Sequence, residues 1–260
     1  MGILNLTPDS FSDGGRLDTI AAALAHARRL IAEGADILDI GGESTRPGAA
    51  LIAEAEELTR VIPVIEAIRA EHSIPLSIDT MKPAVARAAV AAGASLWNDV
   101  TALRFSLGSL AAAADLRCEV VLMHMQGEPA TMQTDPRYGD VVAEVAAFLA
   151  ARAQAAESAG VGRDRIWLDP GIGFGKTAAH NLALLAALDR IVALGYRVVL
   201  GASRKGFIRA VDPAATRADD RLGASIAVAL AGARAGVAML RVHDVRETVQ
   251  ALAVQAAIDG

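Results

Sequence analysis

Eight short segments rich in aliphatic residues recur along the 260-residue chain, and a helical pattern follows each of them. These segments are GILNL (2–6), DILDI (36–40), LSID (76–79), SLWND (95–99), EVVLMH (119–124), RIWLD (165–169), RVVLGAS (197–203) and AMLRV (238–242). Eight alternating strand and helix units with mostly apolar strands are typical of a closed parallel barrel. We therefore predict one α/β domain over residues 1–260, a (β/α)8 TIM barrel, with an open doubly wound sheet as the alternative.

Glycines mark most of the junctions between a helical pattern and the next strand. A glycine just past a helix end adopts the left-handed conformation at little cost, so each is predicted to end a helix. The five glycines in this setting are Gly34, Gly93, Gly160, Gly195 and Gly236. In the first helical pattern, the apolar stripe expected to face the core consists of Ile20, Leu24, Ala27 and Ile31.

Composition excludes several classes of protein. Hydrophobic residues make up 53% of the chain and charged residues 21%, which excludes an intrinsically disordered chain. The net charge is −5 and the basic residues are scattered, so we expect no nucleic-acid partner. No segment has the pattern of a leader peptide or a membrane span, so we expect no membrane partner. The single cysteine, Cys118, favours a reducing compartment, and we predict a cytoplasmic protein.

Polar side chains stand at the end of nearly every predicted strand. In a barrel all of these ends face the same mouth, where such enzymes place their chemistry. One strand-end Asp is more often a helix N-cap than a functional group, but capping alone does not explain a polar group at so many ends. The strand-end groups are Asn5, Asp39, Asp79, Asn98, Asp99, His124, Asp169, Ser203, Lys205, Arg241 and His243.

Two glycine-rich or basic motifs follow the sixth and seventh strands. DPGIGFGKT (169–177) lacks the glycine spacing of a phosphate-binding loop, and we interpret it as a flexible rim loop with Phe174 as an apolar wall. GASRKGF (201–207) opens a helix with Ser203, Arg204 and Lys205, which suits a phosphate or a carboxylate.

The chain's last strand ends in RVHDV (241–245), which places Arg241 and His243 on one side of the strand. Arg241 offers bidentate donors to phosphate oxygens, and Asp244 with Glu247 resembles a helix-capping pair.

Long polar loops follow the first two strands, TPDSFSDGG (7–15) and GGESTRPGA (41–49), and loops of this length are typical of lids or binding loops. Asn5, Asp9 and Asp13 are hard oxygen ligands that could share Mg²⁺ with a phosphate substrate. No ligand spacing typical of zinc is present.

The motifs GILNLTPDSFSDGG, DIGGESTRPGA, SIDT, NDV, LMHMQGEPATMQ, DPGIGFGK, GASRKGF and RVHDV occur in this order over nearly the whole chain. Together they resemble the dihydropteroate synthase family of folate biosynthesis. The resemblance implies a transferase that joins 6-hydroxymethyl-7,8-dihydropterin diphosphate to 4-aminobenzoate and releases diphosphate, with Mg²⁺ as cofactor. It also implies a homodimer.

The same resemblance implies roles for individual residues. Asp79, Asp169 and Lys205 would be catalytic and, with Asn98, would hold the pterin. Residues around the diphosphate and its metal would be Asn5, the metal ligand, with Thr45, Arg46, Arg241 and His243. The 4-aminobenzoate subsite would be walled by Phe174, Pro47, Ser203 and the Lys205–Gly206 backbone. Gly206 departs from the family pattern, in which serine is common at this position.

A pterin-binding barrel of the methyltetrahydrofolate:corrinoid methyltransferase type is the alternative, because it shares the Asp and Asn residues that hold a pterin. Such a protein needs no diphosphate site, so the SRK and RVH motifs would have no purpose. A degenerate pterin binder is a further alternative, and it would be expected to have lost site residues.

Overall fold

The computed structural model describes residues 1–6, 20–45 and 48–260. Eight parallel strands follow one another in chain order around a single sheet, and each pairs with the next in sequence. The strands are β1 (Gly2–Asn5), β2 (Leu38–Gly41), β3 (Leu76–Asp79), β4 (Leu96–Asp99), β5 (Glu119–Met123), β6 (Ile166–Asp169), β7 (Arg197–Leu200) and β8 (Met239–Leu240). The sheet closes next to β8, where Ile3 N donates to Val242 O at 3.1 Å and Val242 N donates to Met1 O at 3.0 Å. The predicted (β/α)8 barrel is confirmed.

Helices alternate with these strands and cover the outside of the barrel. They are α1 (Ile20–Ala32), α2 (Glu54–Glu71), α3 (Pro83–Ala91), α4 (Ser109–Leu116), α5 (Val141–Ser158), α6 (Ala178–Ala186), α7 (Leu188–Val192), α8 (Leu222–Arg234) and α9 (Val245–Asp259). Short 3-10 helices span Arg163–Arg165, Gly206–Ala210 and Asp219–Arg221. All five predicted junction glycines have positive φ, between 75° and 115°, as expected. None of the helices in the described ranges is long and apolar enough to cross a membrane.

The alternation of side chains along each strand explains how the barrel presents polar groups at one mouth. Successive side chains of a strand point to opposite faces. On β4, Trp97 joins the outer core beneath the helices, whereas Leu96 joins an inner cluster with Val121, Trp167 and Val199. The residue two places after each inner apolar residue therefore points to the same interior, one layer nearer the carboxyl ends. Asn98 follows Leu96 in this way, and Asp169 follows Trp167.

The predicted stripe on α1 is wrong in part. Ala27 is buried as expected, but Ile20 is 46% exposed, and the other fully buried residues are Ala23 and Leu30. Ala23, Ala27 and Leu30 form the face toward the barrel, where the alanines let the helix lie close to the strands, whereas Leu24 and Ile31 are only partly buried.

Candidate active site at the carboxyl ends of the strands

Three inward-facing strand ends meet around one guanidinium. Arg241 Nε donates to Asp39 Oδ2 at 2.5 Å, and Arg241 Nη2 donates to Asp79 Oδ2 at 2.8 Å. Asn98 Nδ2 donates to the same Asp39 oxygen at 3.2 Å. Burial alone would lower the pKa of Arg241, but the charges of Asp39 and Asp79 outweigh it and raise that pKa. Arg241 is therefore a permanent cation between two carboxylates.

Asp39 is the functional group that the sequence interpretation left without a role. It is fully buried, and its Oδ1 has no hydrogen-bond partner among the described residues. An unsatisfied buried acceptor is costly, so a donor that enters the mouth would gain by reaching it. The signal was present in the sequence, because DILDI has an Asp next to its last residue, much as LSID and RIWLD end in Asp.

Asp169 lies at the end of β6. Its Oδ1 accepts the Gly171 N–H at 2.7 Å, and its Oδ2 lies 3.6 Å from where a Cβ at Gly201 would stand. Arg241 Cδ lies 3.8 Å from the same point, so the missing side chain at Gly201 keeps open the space between Asp169 and Arg241. Gly41 has the same effect between Asn5 and Asp79. The two glycines therefore leave the space beside these carboxylates unfilled by a side chain.

Burial changes the acidity of these carboxyl groups. It raises the pKa of Asp79 to about 7, against the opposing charge of Arg241. It also raises the pKa of Asp169, against the hydrogen bond from Gly171. Perturbed carboxyl groups that converge in a cleft indicate a functional site.

The DPGIGFGK loop is held by the buried side chain of Lys176, to which the sequence interpretation assigned no role. Lys176 is 3% exposed, and its Nζ lies 2.9 Å from Gly171 O, 3.0 Å from Phe174 O and 2.9 Å from His124 Nδ1. A Cβ at Gly171, where φ is +68°, would lie 1.9 Å from His124 O. The expected flexible rim loop is therefore a loop tied to the β5 end by a buried lysine and a close backbone approach.

An apolar wall lines this side of the mouth. Phe174 packs in a buried cluster with Met81, Val100, Met123, Met125 and Met132. Lys205 Nζ stands 4.2 Å from the centre of the Phe174 ring, within the range of a cation–π contact. The face beside Lys205 suits a flat, electron-rich ring system.

Ser203 and His243 form a hydrogen-bonded pair at the ends of β7 and β8. Ser203 Oγ lies 3.1 Å from His243 Nδ1 and accepts the His243 N–H at 3.3 Å. Burial, with the charge of Arg241, lowers the pKa of His243 to about 3, so the ring is neutral at physiological pH. When the serine hydroxyl donates to Nδ1, the ring carries its proton on Nε2, which is then a donor.

The expected capping pair of Asp244 and Glu247 is wrong. Asp244 stands at the N-cap of α9, but its side chain makes no capping hydrogen bond. Instead, its two oxygens accept from Arg204, with Nη2 at 2.6 Å from Oδ1 and Nε at 3.0 Å from Oδ2. The carboxylate gains more from a bidentate guanidinium than from a backbone N–H.

The β2–α2 loop carries the half-buried Thr45. Gly48 N donates to Pro129 O at 3.2 Å, so this loop contacts the β5–α5 loop across the mouth. Arg46 and Pro47, and the possible metal ligands Asp9 and Asp13, lie outside the described residues.

Asn5, at the end of β1, is the predicted metal ligand that the structure describes. Its Oδ1 lies 3.4 Å from where a Cβ at Gly41 would stand, beside Asp79. Within the described ranges, no cluster of three His, Cys, Asp or Glu side chains could hold a metal ion. Mg²⁺ is usually held by one or two protein carboxylates together with substrate phosphates, and the Asn5 amide would add one neutral oxygen ligand to a metal held mainly by phosphate oxygens.

Comparison with known proteins agrees with this arrangement. Residues 1–243 match the family model of pterin binding enzymes. A dihydropteroate synthase of Streptococcus pyogenes is 47% identical over 254 residues, which cover 98% of this chain and 93% of the relative. The structure of Xanthomonas albilineans dihydropteroate synthase with 4-aminobenzoic acid superposes with a TM-score of 0.94 at 54% identity, covering 100% of this chain and 92% of the other.

A second Xanthomonas albilineans structure, in complex with 7,8-dihydropteroate, gives a TM-score of 0.90 at 51% identity and covers 100% of this chain and 93% of the other. Both the sequence relative and the solved structures therefore match this chain nearly from end to end. The chain belongs to the pterin-binding enzyme family and, within it, to the dihydropteroate synthases.

Proposed function

We propose that the whole chain acts as one pterin-binding barrel that joins 6-hydroxymethyl-7,8-dihydropterin diphosphate to 4-aminobenzoate, giving 7,8-dihydropteroate and diphosphate. The convergence of Asp79, Asn98 and Asp169 with Arg241 at one open mouth supports this most directly. Such a mouth offers acceptors for the donor edge of a pterin beside a cation for a phosphate.

The pterin is proposed to lie between Asp169, Asn98 and Lys205. Because Asn98 Nδ2 donates to Asp39, its Oδ1 is left to accept from a ring N–H. Asp169 uses Oδ1 on Gly171, which leaves Oδ2 for a second ring N–H. Lys205, above the Phe174 ring, would contact the ring carbonyl and the π face.

The diphosphate is proposed to lie near Arg241, His243 and Thr45, with Arg46 as a further donor. The neutral His243 ring can donate a hydrogen bond from Nε2 to a diphosphate oxygen, and it places no second positive charge beside Arg241. Arg241 is also bound to Asp79, so it joins the pterin and diphosphate subsites. An Arg241→Ala change would therefore weaken both, and not diphosphate binding alone.

Mg²⁺ is proposed to be held by Asn5 together with diphosphate oxygens. When bound, it would neutralise charge that develops on the leaving diphosphate.

The reaction needs a bond between the amine nitrogen and the pterin methylene carbon, loss of the C–O bond to diphosphate, and loss of one amine proton. As the C–O bond lengthens, positive charge grows on the pterin and negative charge on the diphosphate. Asp169 would face the first pole and Arg241, with the neutral donor His243, the second, while Asp79, paired with Arg241, lies between them. Fixed charges of this kind lower the barrier because they need no reorganisation.

The 4-aminobenzoate is proposed to lie against Phe174 and Ser203, with its carboxylate near the Lys205–Gly206 backbone. Pro47 would complete the wall from the β2–α2 loop. The buried Phe174 ring supplies a flat apolar surface for the benzoate ring.

Release of diphosphate tests the proposal. Purified protein is incubated with the pterin diphosphate and Mg²⁺, with and without 4-aminobenzoate, and free diphosphate is measured by a coupled assay. Synthase activity requires release that depends on 4-aminobenzoate and on Mg²⁺. If no diphosphate appears and a methyl group passes from methyltetrahydrofolate to a corrinoid, the methyltransferase alternative is correct.

A homodimer in the cytoplasm is also proposed. Apolar residues of α9 face outward, with Val254 56% exposed and Ile258 73% exposed, and a second copy would remove them from water. Light scattering on purified protein would give twice the chain mass, and an Ile258→Lys change would lower it.

A further inference from the structure

Arg204 stands between two residues of the proposed site, yet its guanidinium is used elsewhere. Its Nε and Nη2 bind both oxygens of Asp244, and its Nη1 donates to Asp219 Oδ1 at 2.6 Å. The Asp244 side chain is 13% exposed and the Asp219 side chain 55% exposed. The stronger contact is therefore the bidentate pair with Asp244, and Asp219 is a solvated second partner.

The backbone of Arg204 is held in a conformation that a residue with a side chain rarely adopts. Its φ is +60°, in the left-handed region. Arg204 N donates to Ser225 Oγ at 2.9 Å, and Arg204 O accepts from Arg221 Nη1 at 2.9 Å. Left-handed conformations at such positions persist only where surrounding contacts enforce them, and they are typical of functional sites. This turn sets the directions of Ser203 and Lys205, the residues on either side.

Asp244, the partner of Arg204, likewise lies next to a residue of the proposed site. Asp244 follows His243, and Ser203 Oγ lies 3.1 Å from His243 Nδ1. Two neighbouring links thus join the β7 and β8 ends, one between neutral groups at the mouth and one between charged groups just behind it.

We propose that the Arg204–Asp244 pair is a clamp that holds Ser203 and Lys205 in register with His243, and so aligns the 4-aminobenzoate wall with the diphosphate end. Arg204 is then a positioning residue and contacts no substrate. The proposal rests on the proposed function, because the roles of Ser203, Lys205 and His243 come from it.

The clamp and a direct ligand role for Arg204 predict different outcomes for Asp244→Asn, one in the KM for 4-aminobenzoate and the other in the binding of diphosphate. If the clamp is correct, this near-isosteric change loosens both strand ends and raises the KM for 4-aminobenzoate by about tenfold, since small misplacements cost rate and binding. If Arg204 binds diphosphate directly, the same change frees the guanidinium, and diphosphate binds as well or more tightly.

Arg204→Gly completes the test, because glycine accepts the left-handed φ and only the side chain is lost. We expect this variant and Asp244→Asn to raise the KM for 4-aminobenzoate similarly, and the double variant to be no worse than either alone. Asp219→Asn is the matched control and should stay within about twofold of wild type, as expected for an exposed pair. Effects that multiply in the double variant would overturn the clamp.

Chemical rescue separates positioning from general destabilisation. Ethylguanidinium added to Arg204→Gly should lower the KM for 4-aminobenzoate toward wild type, whereas ethylammonium should not, because only the guanidinium binds Asp244 bidentately. A Leu149→Ala variant with a similar fall in Tm should keep the wild-type KM at 25 °C. Equal rescue by both cations, or an equal KM change in Leu149→Ala, would contradict the proposal.

Calorimetric measurement of inorganic diphosphate binding distinguishes failure of the clamp from failure of the proposed function. If wild-type protein releases no diphosphate from the pterin substrate, the proposed function fails. In that case weaker diphosphate binding in both Arg204→Gly and Asp244→Asn still supports the clamp, and unchanged binding in both overturns it.

Discussion

Carboxyl groups of identical chemistry take different tasks at the barrel mouth because their neighbours differ. Asp39 and Asp79 share the guanidinium of Arg241, whereas Asp169 accepts a backbone N–H and keeps one oxygen toward the open space above Gly201. The strand-end position shows that each carboxyl lies at the mouth. Only its partners show whether it is committed to a protein cation or left for a substrate.

Replacement of Asp169 by Asn tests the pterin anchor. The change keeps the shape but removes the negative charge that would face the developing cation. We expect turnover to fall by about 10²-fold or more, the scale of a lost preorganised group. Asp164→Asn, before the opposite end of β6, is the control and should keep wild-type turnover in the diphosphate-release assay. Near-normal activity of Asp169→Asn would contradict the assignment.

The acidity of Asp79 predicts a particular dependence of stability on pH. Burial raises its pKa from 3.8 to about 7, so between these values the folded state binds more protons than the unfolded state. The contribution of Asp79 to the free energy of unfolding therefore falls as the pH rises from about 4 to about 7, and is constant above that. We expect the difference in unfolding free energy between wild type and Asp79→Asn to decline over this range in urea titrations. A difference that grows with pH would show that pairing with Arg241 outweighs burial.

Gly206 is a place where a side chain can be added at little steric cost. No heavy atom lies within 4 Å of the position that its Cβ would take, and its φ is not positive. We expect Gly206→Ser to fold normally and to lower the KM for 4-aminobenzoate by about three- to tenfold, as one added hydrogen bond would do. Gly206→Ala is the control, and an equal effect of alanine would exclude the hydroxyl as the cause.

At the scale of elements, a buried ion triad holds the β2–α2 loop to the start of α3. Lys82 Nζ lies 3.0 Å from Glu43 Oε2 and 2.7 Å from Glu57 Oε2, and Glu43 Oε1 accepts the Ile52 N–H at 2.7 Å. Glu43 therefore ties both ends of the segment that contains Thr45. Glu57 is fully buried, and Lys82 is its ion-pair partner.

Loss of Lys82 should therefore destabilise the protein strongly. Lys82→Met leaves two buried carboxylates without a cation, and we expect the free energy of unfolding to fall by about 3–5 kcal/mol. Arg87→Met, which breaks the exposed pair with Asp115, is the matched control and should cost no more than about 1 kcal/mol. Denaturant titration measures both. Equal costs would mean that the triad adds nothing beyond a surface pair.

The barrel closes between β1 and the end of β8, and we call this closure the seam. Strand β8 has two residues, both half-buried, and pairs with β7 at two positions, and Val242, just after it, makes one bridge to Gly2 of β1. By contrast, β5 pairs with both neighbours over four positions. The mouth residues Arg241 and His243 lie just after this short strand.

Hydrogen exchange should detect the seam. We expect the amides of Ile3 and Val242, which join β1 to the end of β8, to exchange faster than those of β5, because fewer ladder bonds must break to open them. Exchange followed by mass spectrometry with peptide resolution measures this. Equal protection of the two regions would show that the barrel opens as one unit.

Local sequence patterns are enough to predict the barrel, its eight strands and the identity of the groups at its mouth. These depend on local periodicity, on glycines that end helices, and on the rule that parallel strands end on one side. The partners of those groups depend on the fold: Arg241 with Asp39 and Asp79, Lys176 with His124, and Asp244 with Arg204 instead of a helix N-terminus. Each of these contacts joins residues far apart in the chain, and its strength depends on burial and on competing partners. Neither quantity is written in the local pattern of residues.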